Sequence, residues 1–152
     1  MPIEHIHPMI VHFPIVLVIM AALFDLWALT LARPVGDTPI ARNLATAMTA
    51  GAGITAVAAY FFGDMALDVA MSRGFTDAQL ESHEGWGTTT AIALSAIALV
   101  RLVMWRRRLD RKRGGAMLAT AMSLAAVFLV AVTAYFGGHL VYDLGVNIKP
   151  AA

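Results

Sequence analysis

The sequence predicts an all-α protein, an antiparallel four-helix bundle that spans a membrane. Three observations predict it. Of the 152 residues, 59% are hydrophobic and 14% are charged, whereas soluble domains run near a quarter charged. The mean hydropathy is +0.72. The apolar residues gather into four runs, each near or beyond the ~20 residues that carry an α-helix across a ~30 Å hydrocarbon core. Backbone in lipid must satisfy its own hydrogen bonds, so these runs are read as helices, over about residues 8–32, 40–66, 84–107 and 115–142 of a single domain. The composition excludes disorder, and the absence of cysteine excludes disulfides, thiolate zinc, iron–sulfur clusters and c-type haem attachment. A formal net charge of +1 gives no reason to expect a nucleic-acid partner.

The first run, Met9 to Ala32, is interrupted by His12, Pro14 and Asp25. Pro8 suits a first helical position because it has no N–H to leave unpaired. Pro14 removes one backbone hydrogen bond and predicts a bend beside His12 that turns its ring inward. The opening residues MPIEHIHP carry Glu4 and no Lys or Arg, so no cleaved signal peptide is expected and the run is read as a retained helix. The second run, about Ile40 to Gly63, is rich in small residues, with Ala47, Gly51, Gly53, Ala56 and Ala59 offering a close-packing face. The third runs from about Gly87 to Trp105 and the fourth from about Ala116 to Val141. No convincing internal repeat is visible.

The connections differ in charge. Arg33, Asp37 and Arg42 lie between the first two runs, and WRRRLDRKRGG lies between the last two. The middle connection is acidic, with Asp64, Asp68, Asp77, Glu81 and Glu84 against Arg73. Short basic loops stay cytoplasmic. This predicts a multi-pass membrane protein, with the basic loops inside and both termini outside.

All five histidines then fall at the outer face. His5 and His7 precede the first helix and His12 lies in its first turns. His83 precedes the third helix, and His139 sits near the outer end of the fourth. A polar ring within a membrane span is a functional candidate, and imidazole is a common ligand for haem iron, copper and zinc. Bundle cores build cofactor sites from facing helices. His12, His83, His7 and His139 are therefore the candidate ligands, and Asp64 joins them as a metal ligand from the acidic rim or as a partner orienting a ring. Deeper in the membrane, Asp25 and Arg101 lie at nearly matching depths, and they predict an ion pair near the inner leaflet.

The stretch HPMIVHFPIVL (7–17) resembles the opening motif of the bacterial membrane family DUF2231, and TAYFGGHLVYDLGV (133–146) resembles its closing signature. FFGDMALD and SHEGWG are similar to its midchain pattern. The resemblance covers the whole chain. It implies a four-helix plan similar to membrane b-type cytochromes, and a haem-linked redox role, since relatives occur fused to Rieske iron–sulfur domains. By motif it points to His7, His12, Asp64 and His83. The chain departs from the family in carrying His139 where an acidic or other polar residue is common, and Leu144 where a histidine is.

The expectation is a non-enzymatic electron carrier or redox subunit. One haem b would be held near the outer face by two histidines, with His12 and His83 as the first pair. Quinone or an outer-face Rieske-type or cytochrome protein would exchange electrons with it, and the lipid bilayer and a possible second copy are the other partners. The alternatives are a haem-free protein binding a copper, zinc or iron ion through the histidines and acidic rim, and a structural membrane subunit. No HExxH motif suggests a hydrolase, and no inverted pair of broken helices suggests a transporter.

Overall fold

The computed structural model describes residues 2–30, 39–146 and 148. Among them there is no strand. A 3-10 turn, Ile3–His5, leads into α1 (Ile6–Ile10) and α2 (His12–Thr30). These form one span with an interruption at Val11, where Pro14 withholds the N–H that residue 10 would otherwise receive. Then come α3 (Pro39–Ser72), α4 (Asp77–Arg106), a 3-10 turn (Leu109–Arg111) and α5 (Arg113–Tyr142). Each of the four long spans is apolar and long enough to cross a membrane. Arg33 and Asp37 of the first connection lie outside the described residues, as do Lys149 and Pro150.

The helices form an antiparallel ring. α2 packs on α3 and α5, and α4 packs on the same two, so α2 and α4 stand diagonally. The packing is inside-out by soluble standards. The buried positions of α3 are mostly alanine, including Ala41, Ala45, Ala52, Ala56, Ala59, Ala66 and Ala70. Phe13, Val16, Leu23 and Trp27 of α2 lie on the outer surface at helical spacing. Lipid tails are as apolar as leucine, so membrane helices associate through small residues that let backbones approach. Gly53 marks the closest approach: a Cβ there would lie 2.8 Å from that of Ala98 on α4. Ala47, expected on this stripe, instead faces outward, and Gly51 is half-buried against Leu17.

The acidic stretch is mostly helix rather than loop. α3 runs on to Ser72, and α4 begins at Asp77. Gly74 takes φ +96°, the left-handed conformation that ends helices cheaply only at glycine, and the Phe75 N–H returns to the Ala70 carbonyl at 3.3 Å. Gln79 Oε1 then accepts the Thr76 N–H at 2.9 Å, starting α4. Beneath this turn Ala70, Leu80, Leu140 and Val146 form a small apolar cluster with Phe75 and Leu144. That cluster gives the extended ends of α3, α4 and α5 something to pack on. Glu4, buried, pairs with Arg73 and so fastens the first 3-10 turn to the end of α3.

Candidate functional site

His7 and His83 meet inside the bundle. Their ring centres are 6.1 Å apart, and the planes stand at 78°. The two rings come from α1 and α4, and they are held in the same way. His7 lies against Gly63 of α3, where a Cβ would come within 2.9 Å of its ring, and its Nδ1 is 2.9 Å from the Ala59 carbonyl one turn earlier. His83 lies against Gly137 of α5, where a Cβ would come within 3.0 Å, and its Nδ1 is 3.3 Å from the Thr133 carbonyl one turn earlier. A carbonyl only accepts, so each Nδ1 carries the proton. Each neutral ring is thereby left with an unprotonated Nε2, the nitrogen free to bind a metal. Backbone anchoring of this kind fixes tautomer and ring orientation. Thr133 also ties α5 to α4 through its hydroxyl, which lies 2.8 Å from that of Thr90 and 3.2 Å from the Trp86 carbonyl.

A pocket of about 330 Å³ opens beside His83. Phe136, Leu140 and Leu144 form its apolar wall, and Gln79, Ser82 and His139 its polar side. It reaches His83 but not His7. Trp86 stacks on Phe136 at 6.4 Å, backing that wall.

The other candidate residues lie elsewhere. The ring that meets His83 is His7 rather than His12. His12 is on the outer surface of α2, and the bend at Val11 does not turn it inward. His5 is exposed on the first 3-10 turn. His139 is half-exposed and its Nδ1 is 2.6 Å from the carboxylate of Asp143 one turn on. Asp64 and Asp68 are exposed on α3, as are Glu81 and Glu84 on α4. Among the described residues no three His, Asp or Glu side chains gather where they could hold one metal ion.

Nearer the other end, Asp25 and Arg101 form a two-pronged ion pair, at 2.8 and 2.9 Å, with both residues buried. Ser123 of α5 adds a third hydrogen bond to the same carboxylate at 2.6 Å. Both carboxylate oxygens of Asp25 thus face a donor, which is what makes a charge pair tolerable away from water.

The two pairs reveal a repeat that the sequence conceals. His7 and His83 are 76 residues apart, and so are Asp25 and Arg101. The two glycine notches, and the two carbonyls that receive the rings, are each 74 apart. The equal spacings give the hairpin of α2 and α3, with the α1 that leads into it, and the hairpin of α4 and α5 the same arrangement of these positions. The detectable sequence signal is short: AYFFG before the first notch and TAYFG before the second.

A family model described as a predicted membrane protein, DUF2231, matches residues 4–150. No curated protein and no solved structure matches the chain.

Proposed function

The chain belongs to the DUF2231 family of membrane proteins, and from that premise we propose that it is a membrane redox subunit holding one metal centre between His7 and His83, with haem b as the occupant. The observation that carries this reading is the meeting of two imidazoles from different helices, ring centres 6.1 Å apart, each anchored to a backbone carbonyl through Nδ1 and so left with Nε2 free to bind a metal.

The donor set favours haem over a bare ion. Zinc takes four ligands and most copper sites three or more, whereas two imidazoles are all that this site offers. Haem would need no more from the protein than the two imidazoles of His7 and His83, and it would supply one-electron chemistry. The chain's own residues supply the rest. Ala59 and Thr133 hold the rings by their Nδ1–H groups, and Gly63 and Gly137 give them room. The surrounding helices half-bury both rings. The apolar wall of Phe136, Leu140 and Leu144 lies on the side of His83 where a flat ligand edge finds space.

By the charge rule, the basic turn at 106–113 lies on the cytoplasmic side of the bacterial inner membrane and the imidazoles lie near the opposite face. Quinone or an outer-face redox protein of Rieske or cytochrome type would then be the electron partner, and the subunit would carry electrons without chemistry of its own. The test is an absorption spectrum of the purified protein after haem reconstitution, together with its metal content. The reading expects a Soret band with sharp reduced α and β bands, abolished or converted to a single-ligand spectrum in His7→Ala and in His83→Ala and unchanged in His12→Ala. A protein that binds no haem and no metal leaves the pair as packing only.

A further inference from the structure

The basic end of the bundle holds a second polar site that the imidazole pair does not use. Asp110 sits in the 3-10 turn between α4 and α5, yet its side chain folds under the bundle and is only 5% exposed. Arg42 of α3 approaches it, Nε to Oδ2 at 3.2 Å. The alignment is poor, however: neither carboxylate oxygen has a hydrogen-bond donor, and Arg42 Nε has no acceptor. A cavity of about 20 Å³ adjoins them, lined also by Asp25, Arg101, Ala28, Ala116 and Ala119.

The charges facing Asp110 come from every neighbouring element. They are Arg42 of α3, Arg101 of α4, Asp25 of α2 and Arg111 of its own turn. Arg101 is committed to Asp25 by two hydrogen bonds. An ionised carboxylate without donors is among the most costly groups to bury, while a protonated one needs only a single acceptor. The cavity suffices for one water, which takes about 10–15 Å³ of this measure and needs polar partners. Those partners stand around it.

We propose that Asp110 and this cavity form a proton-binding site at the basic end of the bundle, in which the neutral acid is hydrogen-bonded through one water to Arg42. The site is independent of what His7 and His83 hold. Burial works in the same direction, pushing the Asp110 carboxyl above the usual carboxylate range against the opposing pull of Arg42, its own backbone N–H, Arg101 and Arg111.

Infrared difference spectroscopy on the full chain in lipid tests this. A protonated-carboxyl carbonyl band is expected to persist to higher pH than that of an exposed aspartate, shifting in heavy water as a hydrogen-bonded acid does. It should be absent in Asp110→Asn and intact in Asp68→Asn, which changes an exposed carboxylate. Asparagine copies the shape of the neutral acid, so Asp110→Asn should also fold and melt at or above the wild-type temperature at a pH where the band is present. The proposal is overturned by a wild-type protein lacking the band, by a band that survives Asp110→Asn, or by an Asp110→Asn chain that melts lower or fails to fold. A surviving band would belong to another carboxyl, and a lower melting temperature or a failure to fold would mean that the ionised form is the one the fold requires.

Discussion

Asp25 and Arg101 occupy corresponding positions in the two hairpins and close on each other across the centre of the bundle through two parallel hydrogen bonds. Ser123 completes the carboxylate's shell. Its environment makes the pair one unit: either partner alone is a charge without a counterion in a buried site.

Arg101→Leu or Asp25→Leu should therefore each cost about 3–5 kcal/mol of stability, because each strands the other charge. The double replacement should cost less than either single change. Thermal unfolding of the four proteins in one detergent checks this, and additive losses would show that the two residues act separately.

The glycine notches give a prediction that leaves both imidazoles in place. A methyl group at Gly63 or Gly137 would come within 2.9 or 3.0 Å of the His7 or His83 ring and push it off its carbonyl. On the proposed reading that His7 and His83 hold haem, Gly63→Ala and Gly137→Ala should each weaken its retention by about tenfold or more, ~1.4 kcal/mol. His12→Ala should leave it unchanged. Titration with haem, followed by its Soret absorbance, measures the effect.

The turn at the basic end depends on one backbone approach. A Cβ at Gly115 would stand 2.1 Å from the Leu109 carbonyl oxygen, and carbonyls, unlike flexible side-chain tips, cannot swing aside. Gly115→Ala should lower stability by about 1–3 kcal/mol, the usual cost of overpacking. Gly114→Ala, where a Cβ meets nothing, serves as the control in the same melting experiment.

Stability should also depend on pH through Asp110. Its carboxyl is raised in the folded protein, mainly by burial, so the folded chain holds a proton that the unfolded chain releases. Its contribution to stability is then fully present below the ordinary aspartate value and is lost as pH rises through the raised one. Melting temperatures across the acid-to-neutral range should fall less steeply with rising pH in Asp110→Asn than in the wild type. Equal slopes would place the proton elsewhere.

The four spans were legible because lipid imposes length and hydropathy on any crossing helix, and the chain obeys both. The Asp25–Arg101 partnership was legible from depth alone, since charges inside a membrane must find company. The imidazole pairing was less so. His12 lies in the first turns of a span and invites an inward reading, but which face of a helix turns inward depends on packing phase. On α3, by contrast, Gly53, Ala56 and Ala59 of the expected small-residue face are buried, and only Ala47 turns outward. His7 precedes the break at Val11, and its place on Gly63 depends on Glu4 pinning the entry turn to Arg73, a contact across 69 residues. The acidic rim misled for a simpler reason. Its carboxylates alternate with alanine, methionine and leucine, which continue a helix as readily as they flank a loop. They end on its outer surface instead of gathering around a ring.

The two hairpins are alike in plan but opposite in the sign they bring to the centre. The amino-terminal one carries aspartate where the carboxy-terminal one carries arginine. Two copies of either half would set like charges face to face in a dry interior, while one of each neutralises them. The molecule thereby encodes which half its halves accept: expressed as separate fragments broken between residues 73 and 76, they should reunite as a mixed pair and refuse to form pairs of their own kind.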